Sequence, residues 1–113
     1  MIRERRRYYR VPVKMIAGIT LEGGRRLQLA ATNISEGGMA LESGGQLARE
    51  SMFDVKFILP ETSDALETKA ELAWADASGR AGVRFMGMCA ESRDHLERWL
   101  TLQIAALDRS LIQ

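Results

Sequence analysis

The sequence predicts a mainly β chain that folds as one antiparallel barrel or sandwich and ends in a single α-helix. Six short segments alternate apolar and polar residues and are separated by turns rich in glycine, asparagine and serine, which is typical of antiparallel strands. The last twenty or so residues change to apolar spacings of three and four, as in an amphipathic helix. With 113 residues, 46% of them apolar, the chain has the size of one domain with its own core.

The first two predicted strands form a hairpin. Residues 11–21 are rich in β-branched and apolar side chains, residues 23–24 are a Gly-Gly turn, and residues 25–34 return with alternate apolar positions. Glycine suits this turn because it adopts positive φ without a steric penalty. A polar turn over residues 33–38 then leads into a short third strand over residues 38–42.

Three more strands are predicted over residues 51–59, 65–75 and 80–88. The fourth strand ends at Pro60, which has no N–H to donate to a β-ladder. In the fifth strand the alternation places Trp74 on the apolar side. We therefore expect this indole in the core, together with Trp99 and the three phenylalanines.

The helix is predicted over residues 91–111, with Ser92 as its N-cap. Cys89, just before it, is interpreted as a small apolar core residue. The apolar stripe of the helix is expected to lie against the barrel or against a partner chain. It comprises Leu96, Trp99, Leu100, Ile104, Leu107 and Leu111.

Composition argues against several classes of protein. No apolar run is long enough to cross a bilayer, and the charged N-terminus lacks the apolar region of a signal peptide. One cysteine, Cys89, permits no internal disulfide, which suits a cytoplasmic protein. One cysteine and one histidine make a zinc site unfavourable. His95 has no evident nucleophile beside it, and there is no phosphate loop or dinucleotide fingerprint, so we expect no enzyme, no metal and no cofactor.

The first ten residues are the most highly charged stretch. They hold five of the sixteen basic side chains, all arginine, against Glu4, so their net charge is five minus one, or +4. The whole chain carries only +1, which leaves −3 for the rest. A cationic arm on a mildly acidic body indicates a site for an anion. Guanidinium stays charged, and its planar fork of donors matches phosphate oxygens or a guanine edge.

Two motifs stand out from this background. Residues 6–10 read Arg-Arg-Tyr-Tyr-Arg, an Arg-x-x-x-Arg element directly before the first strand. Residues 33–38 read Asn-Ile-Ser-Glu-Gly-Gly, an Asn-x-Ser-x-x-Gly element in the polar turn. Ala73-Trp74 and then residues 82–85, Gly-Val-Arg-Phe, follow later in the chain.

The order and spacing of these motifs closely resemble the PilZ domain family, bacterial receptors for the second messenger cyclic di-GMP. The resemblance runs from Arg5 through the final helix, and the family often has Asp at the position of Asn33. It implies a six-stranded antiparallel β-barrel with a C-terminal helix and no catalysis. Residues 1–10 would be a flexible arginine-rich arm, and residues 11–113 the barrel domain with its helix.

The resemblance also implies which residues bind cyclic di-GMP. Arg6 and Arg10 would hold phosphate and guanine, while Asn33 and Ser35 would contact the other guanine above the close turn at Gly38. Family members with arginine at the position of Arg5 tend to bind an intercalated pair of ligand molecules. We therefore expect Arg5 to contact the ligand as well, and two molecules to bind per protomer.

The hypothesis that follows is a receptor and adaptor. Cyclic di-GMP would order the arm onto the barrel and change the surface offered to a downstream protein, which the sequence does not identify. Two alternatives remain: a small nucleic-acid-binding barrel that uses the same arginines on phosphates, or a degenerate PilZ-like scaffold. The acidic body and the intact motifs favour the receptor, with neither nucleic-acid binding nor membrane insertion expected.

Overall fold

The computed structural model of the chain describes residues 9–47 and 52–112. Within these residues the predicted fold is confirmed as a closed antiparallel β-barrel of six strands followed by one helix. The elements are β1 (Val11–Leu21), β2 (Arg26–Ile34), β3 (Gly38–Glu42), β4 (Met52–Ile58), β5 (Ala65–Ala75), β6 (Arg80–Met86) and α1 (Ala90–Ile112).

The barrel closes because β4 pairs back onto β1. The order around the barrel is β1-β2-β3-β6-β5-β4, and Gly18 of β1 lies opposite Lys56 of β4. Closure pairs parts of the two outer strands with each other, Gly18–Leu21 of β1 with Phe53–Lys56 of β4, so these segments are not open edges. The alternating pattern of the strands fits a barrel and a sandwich equally well, and the pairing of β4 with β1 shows that the fold is a barrel.

Side chains that alternate along each strand fill the interior. In β4, Phe53, Val55 and Phe57 are buried, while the residues between them face outward. The ring of Phe57 stacks on that of Phe85 from β6, with 5.8 Å between the centroids. Period-two alternation therefore places the core side chains of β4 as the sequence predicts.

The helix packs its first half on the barrel. Leu96, Trp99 and Leu100 are buried in the same core as the strands. The indole Nε1 of Trp99 donates a hydrogen bond to the carbonyl oxygen of Pro60 at 3.1 Å, and His95 Nδ1 lies 3.3 Å from Asp64 Oδ2. Both contacts join α1 to the loop between β4 and β5. In the described part of the chain, no helix is apolar over enough of its length to span a membrane.

The junction between β6 and α1 corrects two predictions. The helix begins at Ala90, so Ser92 lies inside the first turn and is not the N-cap. Cys89 is exposed and is not a core residue. Its Sγ lies 3.4 Å from Ser92 Oγ, and a hydrogen bond from the Ser92 hydroxyl to the thiolate lowers the pKa of Cys89 below its ordinary value. The strand also ends two residues earlier than predicted, before Gly87 with φ 69°.

Candidate ligand-binding site

The β1–β2 hairpin brings the end of the first sequence motif to the second motif. Val11 at the start of β1 pairs with Ile34 at the end of β2, and Pro12 pairs with Asn33. Arg10, which immediately precedes β1, therefore lies beside the polar turn. Its Nη1 donates a hydrogen bond to Asn33 Oδ1 at 3.0 Å. Residues that are 23 positions apart in the sequence thus meet at one end of the barrel.

The first motif is described only in part. Tyr9 is half-buried and packs against the core, and Arg10 is exposed. Arg5 and Arg6, like the rest of the predicted arm before Tyr9, lie outside the described residues. The structure therefore gives a position for Arg10 among the three predicted arginines.

Ser35 is the residue that shapes the polar turn. It is only 4% exposed. Its backbone N–H donates to the carbonyl oxygen of Gly38 at 2.8 Å, and its hydroxyl donates to the same oxygen at 3.5 Å. The hydroxyl also accepts from the Gly37 N–H at 3.3 Å. These bonds engage Ser35 within the turn, a common use of serine side chains, and join it to the backbone of Gly37 and Gly38.

Gly38 allows β3 and β6 to approach closely. A Cβ atom at this position would lie 2.0 Å from the carbonyl oxygen of Val83, which is backbone and cannot move aside cheaply. The φ angle of Gly38 is not in the left-handed region. The glycine is therefore required for space between two strands, because any side chain would push them apart.

An open cavity lies beside these two motifs. Its volume is about 610 Å³, within the range of about 300–1,000 Å³ that is usual for small-molecule sites. Three arginines line it, from the residue before β1, from β6 and from α1, against one glutamate. The lining residues are Arg10, Ser35, Glu36, Gly37, Ala73, Trp74, Gly82, Val83, Arg84, Phe85, Met88 and Arg93.

The charge of this cavity is distinctive. Three arginines minus one glutamate give its lining a formal charge of +2, although the whole chain carries only +1. A second hollow, of about 260 Å³, lies over β1, β2, β4 and β5. Two cations and two carboxylates line that hollow, so its formal charge is zero. Of these two hollows, the one beside the motifs is the one suited to an anion.

Trp74 is a correction to the predicted core. Its side chain is 41% exposed and lines the cavity, because the register of β5 on β6 shifts between Leu72 and Trp74. The indole covers Gly82, its partner on β6: a Cβ there would lie 2.1 Å from Trp74 Nε1. An exposed indole fixed on a strand offers a flat surface for stacking.

Sequence reasoning missed three lining residues as candidates for the site: Trp74, Arg84 and Arg93. The glycine at position 82 is the signal that identifies Trp74, since glycine inside a strand marks a close approach by another group. The signal for Arg84 is that it alternates outward between Val83 and Phe85, toward the surface that carries the first motif. No local signal identifies Arg93, because only the packing of α1 brings it to the cavity.

Among residues 9–47 and 52–112, no group of three or more histidine, cysteine, aspartate or glutamate side chains is placed to hold a metal ion. The cavity lining includes three guanidinium groups and one indole. Such groups bind anions and aromatic rings.

Comparison with known proteins places this chain in one family. The sequence profile of the PilZ domain matches residues 4–102. Because the match covers most of the chain, the protein belongs to the PilZ domain family. None of the curated proteins compared with the chain matches it.

Solved structures with the same fold agree with this assignment. The Bacillus subtilis inhibitor of motility, MotI/DgrA, superposes with a TM-score of 0.71 at 21% identity over 96% of this chain and 53% of its own. The chain thus spans about half the length of that protein. The PilZ domain of YcgR from Escherichia coli, solved with cyclic di-GMP, superposes with a TM-score of 0.67 at 16% identity. The match covers 96% of this chain and 98% of that domain. The PilZ domain of CeSA from a cellulose-synthesizing bacterium superposes with a TM-score of 0.65 at 14% identity. The match covers 82% of this chain and 95% of that domain.

Proposed function

We propose that this protein is a receptor for cyclic di-GMP that acts on another protein. The observation that carries the proposal is the contact between Arg10 and Asn33 at the edge of a cavity with a formal charge of +2. Family membership and the cyclic di-GMP bound by the YcgR domain support the same ligand. Arg10, the last residue of the first motif, lies beside Asn33, the first residue of the second, which supports one ligand shared by both motifs.

The charge and shape of the ligand match the cavity. Cyclic di-GMP carries two phosphodiester charges and two guanine bases, so it presents a dianion with aromatic faces. A lining with formal charge +2 can neutralise both phosphates. Guanidinium groups give charge-assisted hydrogen bonds to phosphate oxygens, which are stronger than neutral ones.

Guanine recognition is assigned to the remaining polar and aromatic groups. An arginine fork satisfies guanine O6 and N7 together, a contact that gives about 1–3 kcal/mol of base discrimination in DNA readers. Arg10 is exposed and fixed at one end by Asn33, so little ordering is needed before it binds. We assign Trp74 as a stacking surface for one base, because base–aromatic stacking contributes about 1–3 kcal/mol per base.

The arm supplies the second part of the mechanism. We propose that Arg5 and Arg6 complete the site when the ligand neutralises the cationic residues 1–10 and orders them onto the barrel. Two ligand molecules per protomer would then carry four charges, which three cavity arginines and the arm arginines together can balance. The ordered arm changes the surface beside the cavity. That surface is where a downstream protein would detect the ligand, in the cytoplasm.

Calorimetric titration with cyclic di-GMP tests the function. We expect the wild-type protein to bind with a stoichiometry of two ligands per protomer. Arg10→Ala should weaken binding by about 1–3 kcal/mol, roughly six- to more than a hundredfold, because a charged hydrogen-bond donor is lost. The matched control is Arg26→Ala, an exposed arginine that lines the neutral hollow on β2. It should bind like wild type.

Two further ligands separate this function from nucleic-acid binding. Cyclic di-AMP carries the same phosphates without the guanine edge, and linear pGpG carries the guanines without the ring closure. Both should bind at least about tenfold more weakly than cyclic di-GMP if the guanine edge and the closed ring are recognised. Equal binding of all three, or no heat with cyclic di-GMP, would contradict the proposal. Tight binding of single-stranded RNA with steep salt dependence would favour the nucleic-acid alternative.

A further inference from the structure

Among the three cavity arginines, Arg84 forms an ion pair with a carboxylate of the described residues. It lies on β6 directly opposite Glu71 on β5, and its Nη1 donates to Glu71 Oε1. The side chains of this pair are 59% and 30% exposed, respectively. Arg84 lines the cavity and Glu71 does not. The Glu71 carboxylate therefore holds the Arg84 guanidinium from a position on β5 that is not part of the cavity lining.

The other two cavity arginines are held differently. Arg10 donates to the neutral amide oxygen of Asn33. The guanidinium of Arg93 makes no ion pair with a carboxylate in the part of the chain that the structure describes. Within that part, Glu71 neutralises the cavity arginine Arg84 although Glu71 itself does not line the cavity. With Arg84 counted as neutralised, the effective charge of the lining falls from +2 to +1.

We propose that Glu71 is a positioning residue that competes with the anionic ligand for Arg84 and so sets the affinity of the site. The proposal rests on the proposed function and extends it to two residues outside both sequence motifs. In the free protein, Glu71 holds the Arg84 guanidinium. A phosphodiester that enters the cavity replaces the carboxylate as acceptor, and Arg84 becomes a ligand contact.

Such an exchange of partners requires a weak initial pair. An ion pair between exposed side chains adds little stability, because water screens the attraction and holding two long side chains costs entropy. Glu71 is the less exposed partner, whereas the longer side chain of Arg84 is more exposed and can swing. A phosphodiester offers the same paired oxygen acceptors as the carboxylate. Arg84 can thus leave Glu71 without a large penalty.

Calorimetric titration of variants with cyclic di-GMP tests the competition. Glu71→Gln keeps the shape of the side chain but removes the competing charge, so binding should become about two- to fivefold tighter. Arg84→Ala should weaken binding by about tenfold or more. In the Arg84→Ala background, Glu71→Gln should have no effect, because Glu71 acts only through Arg84. A purely structural role for Glu71 predicts weaker binding in both backgrounds.

The neighbouring Asp54–Lys69 pair supplies the matched control. It joins β4 to β5 on the outside of the barrel, with 3.2 Å between Lys69 Nζ and Asp54 Oδ1, and it does not line the cavity. Asp54→Asn changes the net charge as Glu71→Gln does, yet it should leave affinity unchanged. If both variants bind cyclic di-GMP more tightly by the same factor, the effect comes from the net charge of the protein and the proposal is overturned.

The two proposals fail in different ways. If wild type does not bind cyclic di-GMP, the proposed function fails and the competition with it. If wild type binds and Arg10→Ala weakens binding, while Glu71→Gln titrates like wild type, only the competition is overturned. Circular dichroism of each variant checks that it is folded. If Arg84→Ala is unfolded, the comparison of the affinities of Glu71→Gln and Asp54→Asn for cyclic di-GMP tests the competition by itself.

Discussion

At the scale of single residues, Gly82 and Trp74 act as one unit. The glycine has no side chain, so the indole of its cross-strand partner can lie directly over its backbone. This contact fixes the indole on the sheet, while Trp74 stays 41% exposed to solvent and lines the cavity. The stacking surface that we assign to Trp74 therefore depends on the residue beneath it.

Gly82→Ala should displace Trp74 and weaken ligand binding. The new Cβ would meet Nε1 at 2.1 Å, so the indole must move off the sheet. We expect a change in Trp74 fluorescence and a loss of affinity for cyclic di-GMP of about 1 kcal/mol or more, the lower end of one base-stacking contact. Trp74→Phe identifies the share of the emission that comes from Trp74 and not from Trp99.

Gly18→Ala is the matched control for that experiment. A Cβ at position 18 would meet its nearest neighbours at 3.6 Å, which is ordinary contact. This variant should keep the fluorescence and affinity of wild type. An unchanged spectrum and affinity in Gly82→Ala would contradict the role given to the Gly82–Trp74 contact.

At the scale of elements, the turn between β5 and β6 depends on one carboxylate. Asp76 Oδ1 accepts hydrogen bonds from the Ser78 hydroxyl at 2.6 Å, from the Ser78 N–H at 3.0 Å and from the Arg80 N–H at 3.1 Å. The Ser78 hydroxyl is the main cause that lowers the pKa of Asp76 below its ordinary value, and the Arg80 N–H adds to it. The turn holds the two strands that carry Trp74 and Arg84.

Acid should weaken this turn in a predictable direction. A lowered pKa in the folded state means that the charged carboxylate stabilises the fold above the ordinary pKa of about 3.9. That stability is lost as the pH falls further through the lowered value. Asp76→Asn should therefore reduce the melting temperature at neutral pH, and the difference from wild type should shrink as the pH falls below the ordinary pKa of the carboxyl. A constant difference across that range in thermal unfolding would contradict this assignment.

The elements also show what the sequence could predict. Alternating residues define β4, and the Gly-Gly turn folds β1 onto β2, so the meeting of Arg10 with Asn33 follows from the pattern of one hairpin. The register shift after Leu72 is different, since an alternating pattern contains no mark of an extra residue. That shift turns Trp74 from the predicted core to the cavity.

Packing between distant elements explains the remaining differences. Arg93 reaches the cavity because Leu96, Trp99 and Leu100 seat α1 on the barrel. The amphipathic pattern predicts that this stripe is buried but not which strands it covers. Arg84 faces outward by alternation, yet its pairing with Glu71 depends on the register of β5 on β6. Local patterns in the chain therefore predict the elements and one motif pair, and long-range register and docking complete the site.

At the scale of the whole molecule, charge is divided between the body and one end of the barrel. Residues 1–10 carry +4 and the rest of the chain −3. Arg10 of this stretch lines the described cavity together with Arg84 of β6 and Arg93 of α1, at the end where β1 begins. A dianion bound there would screen the repulsion among these cations and draw the arm toward the barrel. We therefore propose that one electrostatic interaction couples ligand binding to the placement of the arm.

Hydrogen exchange with and without saturating cyclic di-GMP tests the central claim most directly. The account predicts slower exchange in residues 1–10 and in the turn over residues 33–38, because the ligand lies between them. Exchange in β1 and β2 near the neutral hollow, at residues 18–20 and 26–28, should stay unchanged. Unchanged exchange in both the arm and the turn at saturation, or protection confined to the neutral hollow, would contradict it.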